Sequence, residues 1–176
     1  MPSEVQHAAA APLDRRHARI IARMEHDLGR YPSWEDLASG RGLDATYRAL
    51  CAIDRVAAGR SADKGAVEDA AGAIARAAQS DPLAREALDY YYGCVGRVAQ
   101  MMALAVLPVG GIFLCGSTTR ANAAFIRRSR LLRELHANDA QGGLLRRFPV
   151  LIIKADLNLA GGLWACAHPD RLSGPQ

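Results

Sequence analysis

Apolar positions fall into helical stripes along most of this chain and into two short continuous runs towards its end. From Leu13 to Leu28 the apolar set Ala18, Ile21, Met24 and Leu28 recurs at helical spacing, and Gly29 is a natural stop. Ahead of it, residues 1 to 12 hold Glu4, His7 and a run of alanines closed by Pro12. Ser33 and Asp36 are spaced as a capping box at the head of a short helix, which Ser39-Gly40-Arg41-Gly42 is expected to break. Leu43, Tyr47, Leu50, Ile53 (or Asp54) and Ala57 mark the next helix, ending near Gly59, and an alanine-rich helix follows from about Gly65 to Ala78. Asp81-Pro82 places an aspartate at an N-cap and a proline at the first helical position of the longest helix. Its stripe is Leu83, Ala87, Tyr91, Cys94, Val98, Met101 or Met102, and Ala105, and Leu107-Pro108 ends it. Gly93 and Gly96 inside that helix each cost about 1 kcal/mol relative to alanine, which predicts close packing there.

The two continuous runs read as strands. Ile112 to Cys115 lies between Gly110-Gly111 and Gly116-Ser117, and Val150 to Ile153 follows Pro149 and ends at Lys154-Ala155-Asp156. Thr118 to Arg130 reads as helical, with stretches at Ala121–Arg128 and Leu131–Leu135, before a polar loop through Gly142-Gly143. Leu159 to Ala167 is expected as the final helix, and residues 168–176 as a flexible tail. Alternation of helix and strand predicts an α/β fold, helix-rich, with two buried parallel strands. Two strands do not cover their own faces and edges. Residues 1 to 12, another chain or a larger fold would have to supply the rest. Gly116 allows a sharp turn and lets a ligand approach the backbone, and the helix after it turns amide groups towards that loop. The loop is therefore a candidate for the phosphate or nucleoside side of a nucleotide.

Composition narrows the picture. Half of the 176 residues are hydrophobic but only 6% are aromatic, which suits one domain with a core of close-packed helices. The net charge of +4 comes almost wholly from arginines, clustered at Arg127, Arg128, Arg130 and Arg133 and at Arg146 and Arg147. No aromatic residues interleave with them to stack bases, which argues against nucleic-acid binding. Cys51, Cys94, Cys115 and Cys166 are widely spaced in apolar stretches and read as small buried hydrophobes. With no signal peptide read, they predict a reduced, cytoplasmic setting. No run reaches the roughly 18 apolar residues needed to span a bilayer, so no membrane partner is expected.

Four segments, taken in order, resemble the C-terminal portion of the bacterial glucokinase family. Ser3-Glu4-Val5-Gln6-His7 with Ala11-Pro12 resembles the family's Ser/Gly-Glu-Gly-Gly-His stretch and the alanine-proline after it. Glu35 to Leu43, with Tyr47-Arg48-Ala49-Leu50, resembles Glu-x-Leu-Ser-Gly-x-Gly-Leu-x-x-Leu-Tyr-Arg. Gly110 to Ser117 is similar to Gly-Gly-Val-Phe-Ile-Ala-Gly-Gly, and Asp156 to Gly162 to Asp-x-x-Gly-Leu-x-Gly. The resemblance implies an incomplete ribonuclease-H-like domain of the actin and hexokinase type. Residues 1–167 would form the C-terminal portion of its large domain. It implies ATP-dependent phosphorylation of glucose to glucose 6-phosphate, with glucose held by Glu4, His7 and Glu35 and the nucleotide lying along Gly110, Gly111 and Gly116. ATP and Mg²⁺ would be required.

The departures are specific. Val5 and Gln6 stand where the family has paired glycines, which matters if that loop needs positive φ. The family's Asp-x-Gly-Gly-Thr phosphate loop, and the Asn-Asp pair whose aspartate accepts the sugar proton, have no counterpart here. The chain alone is therefore expected to be incomplete and inactive, with no catalytic residue and no Mg²⁺ site of its own. A homo-oligomer or an N-terminal partner chain is expected. The alternative is a non-catalytic sugar-binding or regulatory remnant of a sugar kinase.

Overall fold

A computed structural model describes residues 4–56, 70–155 and 157–168. A 3-10 turn, Val5–His7, precedes α1 (Arg15–Leu28), α2 (Trp34–Leu37), α3 (Gly40–Asp54), α4 (Ala70–Ala77) and α5 (Pro82–Val106). Next come β1 (Ile112–Leu114), α6 (Ser117–Ala121), α7 (Ala123–Ile126), α8 (Leu131–His136) and α9 (Gly142–Leu145). The last described elements are β2 (Val150–Ile152) and α10 (Leu157–Ala167). Ser3, the end of the third helical stripe at Ala57 and Gly59, the start of the alanine-rich helix at Gly65, Asp156 and the tail beyond His168 lie outside the described residues.

Local signals account for most helix ends. The Asp14 carboxylate accepts from the His17 amide at the head of α1, and Gly29 closes that helix at φ 68°. Ser33 and Asp36 form the expected reciprocal capping box. Asp81 Oδ1 accepts from the Leu83 and Ala84 amides at 2.8 and 3.2 Å, with Pro82 in the first turn. The break expected at Ser39-Gly40-Arg41-Gly42 is present but shorter, since α2 ends at Leu37 and the next helix takes in the glycines. Ser39 caps α3 by accepting from the Gly42 amide, so the helix starts at Gly40. Gly42 is needed because a Cβ there would run into the main chain of Asp36 and Leu37.

Helix α5 carries the core. Ala84, Ala87, Leu88, Tyr90, Tyr92 and Cys94 are all buried, whereas the expected stripe member Ala105 is exposed. A single stripe understates this helix because α3, α4 and α8 cover it from several sides. Against it pack Ile20, Ile21 and Met24 of α1, Trp34 and Leu37 of α2, Leu43, Tyr47 and Leu50 of α3, and Leu131 of α8. A smaller cluster joins Ala103 to Leu145 and Phe148. The two glycines do permit close approach. A Cβ on Gly96 would collide with the Leu131 carbonyl oxygen, and one on Gly93 would stand 2.6 Å from Leu13 Cδ1.

Strands β1 and β2 pair in parallel, with Ile112 opposite Val150, Phe113 opposite Leu151 and Leu114 opposite Ile152. Burial on both faces is not observed. Leu114, Val150 and Ile152 pack on the main core and Ile112 on the smaller cluster, but Phe113 is 56% exposed and Leu151 41%. The helical layer covers one face, and no described element covers the other. Cys115 and Cys166 are likewise exposed rather than buried; only Cys51 and Cys94 are inside. The helix expected over Thr118–Arg130 breaks at Asn122, whose side-chain amide donates to the Thr118 carbonyl at 2.9 Å. Gly142-Gly143 opens α9 instead of forming a polar loop.

A partly buried polar node ties the layers together. Arg130 donates to Asp89 Oδ2 at 2.6 Å and to Asp14 Oδ2 at 2.5 Å, and its guanidinium lies 4.1 Å from the Tyr90 ring centroid. Tyr90 donates its hydroxyl to Asp14 at 3.0 Å and stacks on His17 at 5.0 Å. Burial opposes the charge on Asp14, but the His17 amide, Arg130 and the Tyr90 hydroxyl outweigh it and bring its pKa down to about 2. His17 is fully buried. Its Nδ1 accepts from the Leu13 amide at 3.1 Å, so the proton sits on Nε2, which faces Cys94 Sγ at 3.7 Å. Burial, helped by Arg130 and opposed by Asp14, lowers its pKa to about 4.

Gly96→Ala should cost on the order of 2 to 3 kcal/mol in urea unfolding, while Gly161→Ala, with open space around it, should be neutral or gain up to about 1 kcal/mol. For His17, the unfolded chain takes up a proton near pH 6.5 and the folded chain only near pH 4. Stability is therefore lost as pH falls through that window, by on the order of 3 kcal/mol. His17→Gln should flatten this limb of the urea-unfolding pH profile. Asp14 works lower down: its contribution is whole above its ordinary value of 3.8 and is lost as pH falls towards 2.

Candidate functional site

The N-terminal segment is held against the head of α2 by main-chain bonds. The Trp34 amide donates to the Ala8 carbonyl at 3.1 Å and the Ala10 amide to the Pro32 carbonyl at 3.0 Å. They flank an isolated antiparallel bridge between Ala9 and Ser33. Just ahead of it, the 3-10 turn sets His7 beside the first turn of α2, where Glu35 stands. The Ser33–Asp36 capping box fixes that turn, and Arg30 clamps it from outside by donating to both Asp36 oxygens at 2.8 and 2.9 Å. Hydrogen bonding from Arg30 is the main reason the Asp36 carboxyl is held well below the usual carboxylate range.

The structure brings Glu4, His7 and Glu35 together. His7 Nε2 lies 3.4 Å from Glu4 Oε2 and 3.4 Å from Glu35 Oε2, so one imidazole bridges two carboxylates on an accessible surface. Two further side chains, given no role from their sequence positions, join them. Gln6 Nε2 donates to Glu4 Oε2 at 3.1 Å, and Arg41 Nη2 lies 3.5 Å from Glu35 Oε1. Arg41 could have been found six residues after Glu35 once Ser39 is read as a cap. Gln6 carries no such signal. Among the described residues the non-glycines at positive φ are Arg55 and Leu107, so Val5 and Gln6 fit this turn without strain. Chemically, the cluster offers four carboxylate oxygens as acceptors and an imidazole able to donate or accept, a set suited to neighbouring hydroxyl groups.

Gly110, Gly111 and Gly116 flank β1. Gly111, at φ 109°, would place a Cβ 3.0 Å from the Pro149 carbonyl oxygen, so its role is close packing between β1 and β2. Gly110 and Gly116 open onto free space, and Gly116 sits at φ 106° as the N-cap of α6. Its carbonyl accepts from the Arg120 amide at 3.0 Å. The backbone at Gly116 is therefore open to close approach by a ligand, with the first amides of α6 beside it, an arrangement that fits a nucleotide. Tyr92 anchors this helix to α5 by donating to the Thr118 carbonyl at 3.4 Å. No described hydrogen bond joins the glycine loop to the carboxylate cluster.

A cleft of about 950 Å³ opens between α4–α5 and α6–α7, lined by Gln79, Arg85, Asp89, Asn122, Phe125 and Arg128 among others. Arg85 is committed to the Ala78 and Gln79 carbonyls and Asp89 to Arg130. The cleft flanks the helix that leaves the glycine loop and lies apart from Glu4, His7 and Glu35. Among the described residues, no three His, Cys, Asp or Glu side chains are grouped so as to hold a metal ion. No described helix is long and apolar enough to cross a membrane.

Comparison with known proteins identifies this architecture. A family model described as glucokinase matches residues 1–168. The chain is 30% identical over 176 residues to a glucokinase of Mesorhizobium japonicum, covering all of this chain and 50% of that protein. It is 28% identical over 169 residues to a glucokinase of Rhizobium leguminosarum bv. trifolii, covering 96% and 47%. Among solved structures, a glucokinase from an Antarctic psychrotroph superposes with a TM-score of 0.76 at 20% identity, over 95% of this chain and 50% of that one. The Balamuthia mandrillaris glucokinase in complex with glucose gives 0.79 at 22% identity, over 95% and 47%. The chain thus spans about half the length of these glucokinases, and the fold is theirs. On the family match over residues 1–168, the chain belongs to the glucokinase family.

Proposed function

We propose that this chain forms the glucose-holding part and one wall of the nucleotide site of a glucokinase-type phosphotransferase, which moves phosphate from ATP to the 6-hydroxyl of glucose. The observation that carries the reading is the meeting of Glu4, His7 and Glu35 on one surface, His7 within 3.4 Å of both carboxylates. Glu4 and Glu35 accept from sugar hydroxyls, and His7 donates to or accepts from a hydroxyl between them. The glycine loop receives the nucleotide at Gly110 and Gly116, where no side chain obstructs the backbone. The Balamuthia relative, solved with glucose, supports the choice of sugar.

Phosphoryl transfer further needs a base for the attacking hydroxyl and charge neutralisation at the phosphates, which ATP-bound Mg²⁺ supplies. No residue of this chain is assigned to either task. Turnover therefore requires the remaining half of a glucokinase fold, whereas sugar contact does not. A second reading, a sugar-binding or regulatory module without turnover, has one observation in its favour. Gln6, which stands where the motif this stretch resembles has glycine, donates to the Glu4 oxygen that a sugar hydroxyl would use.

Two measurements test the reading. Calorimetric titration of glucose should give binding that Glu35→Ala weakens at least tenfold, with circular dichroism unchanged because Glu35 is an accessible side chain. Glucose heats that survive Glu35→Ala, or no heat from a folded chain, would sink the sugar assignment. At Gly116, where φ is 106°, Gly116→Val should weaken binding of an ATP analogue at least tenfold while leaving glucose binding unchanged. Equal nucleotide binding by the variant would remove the loop from the site.

A further inference from the structure

We propose that Gln6 is a specificity-determining residue of the candidate sugar site: its side-chain amide occupies the Glu4 oxygen that a sugar hydroxyl would take, and the sugar must displace it. The inference rests on the sugar reading above and deepens it, because it says which of the two carboxylates anchors the sugar and which is held back.

The contacts within the carboxylate cluster are not equivalent. Among the described residues, its one side-chain hydrogen bond runs from Gln6 Nε2 to Glu4 Oε2 at 3.1 Å. The other members meet at longer ion-pair separations. His7 Nε2 stands 3.4 Å from Glu4 Oε2 and 3.4 Å from Glu35 Oε2, and Arg41 Nη2 stands 3.5 Å from Glu35 Oε1. Glu4 Oε2 is thus the oxygen directed at His7, and through His7 at Glu35, so it is the one turned into the cluster. The Gln6 amide sits on that same oxygen. A carboxylate oxygen accepts about two hydrogen bonds. With Gln6 and His7 both beside Oε2, a hydroxyl finds no open place there.

The local fold keeps the amide where it is. Gln6 is partly buried, in a 3-10 turn closed by the His7 amide donating to the Glu4 carbonyl at 3.0 Å and the Ala8 amide to the Val5 carbonyl at 3.1 Å. At Glu4, a hydroxyl that replaces the Gln6 amide trades one neutral donor for another, so the net gain is small. At Glu35 the competitor is Arg41, whose side chain is 91% exposed. Exposed ion pairs are worth little in water and are screened by salt, which leaves Glu35 available. Glu35 is therefore the anchor, and Glu4 discriminates between sugars only weakly while Gln6 holds it.

The test is a double-mutant cycle read by calorimetric titration of glucose, using the chain as given, Gln6→Ala, Glu4→Ala and the double variant. Gln6→Ala should tighten glucose binding about threefold, and Gln6→Gly should do the same by a second route. In the Glu4→Ala background the Gln6 substitution should change nothing, because the amide then blocks no acceptor. Monodeoxy analogues of glucose read the specificity. The hydroxyl met by Glu4 is the one whose loss no longer matters in Glu4→Ala, and the penalty for losing it should grow about threefold in Gln6→Ala. Without sugar, the Gln6 side-chain amide resonance of the isotope-labelled chain should move in Glu4→Ala. Equal or weaker glucose binding in Gln6→Ala and Gln6→Gly would overturn the proposal, since the amide would then be holding Glu4 in place for the sugar. The sugar reading would survive that result provided Glu35→Ala still weakened binding. Glucose taken up by Gln6→Ala but not by the unaltered chain would support the proposal in its strongest form. Silence from the unaltered chain and from both Gln6 variants would remove the sugar reading and this inference together.

Discussion

The close approach of α5 and α8 is the constraint on which the rest of the structure depends. Gly96 lets the Leu131 carbonyl rest against the α5 backbone, and Gly93 does the same for Leu13 and the stem of Arg130. Only with the main chains that near can Arg130 reach both Asp89 on α5 and Asp14 at the head of α1. One guanidinium then fixes the relative placement of three segments far apart in sequence. Its charge is compensated by two carboxylates and an aromatic face, as a partly buried arginine requires.

That placement passes outward to the site by short covalent links. With α1 held at Asp14, the preceding segment runs back along α2, and its main-chain bonds at Ala8 and Ala10 set the distance from His7 to Glu35. At the other end of α5, Leu107 leaves the helix in the left-handed conformation and delivers the chain to the glycines of β1. The carboxylate cluster and the glycine loop are thus separate features carried by one long helix.

The molecule is well sealed on its helical side and open on its sheet side, and both conditions have one cause. Helices α1, α3, α4 and α8 surround α5 and bury its aromatic and aliphatic residues. Among the described residues that layer alone covers the strands, and their alternate residues, Phe113 and Leu151, are exposed. A run apolar on both faces, as Ile112-Phe113-Leu114 is, records a sequence suited to burial on both sides.

What the sequence determined by itself was local. Asp81-Pro82, Ser33 with Asp36, and Gly29 each act within one turn of chain, so their capping roles could be read from spacing, and so could the existence and parallel sense of the two strands. Gly93 and Gly96 were legible as sites of close packing because a glycine inside a helix has a cost that needs a reason. The candidate site was legible only as an ordered set of motifs resembling a family; no single residue in it announces a role. The tertiary structure decided what depends on distant neighbours: that α5 is buried around most of its circumference, that the break at Ser39 is short and the glycines after it enter a helix, and that Gln6 and Arg41 join the carboxylates. Burial of a strand or a cysteine is likewise a property of what lies opposite it. Phe113 and Cys115 have sequence surroundings like those of buried residues, and only the three-dimensional arrangement leaves them in solvent.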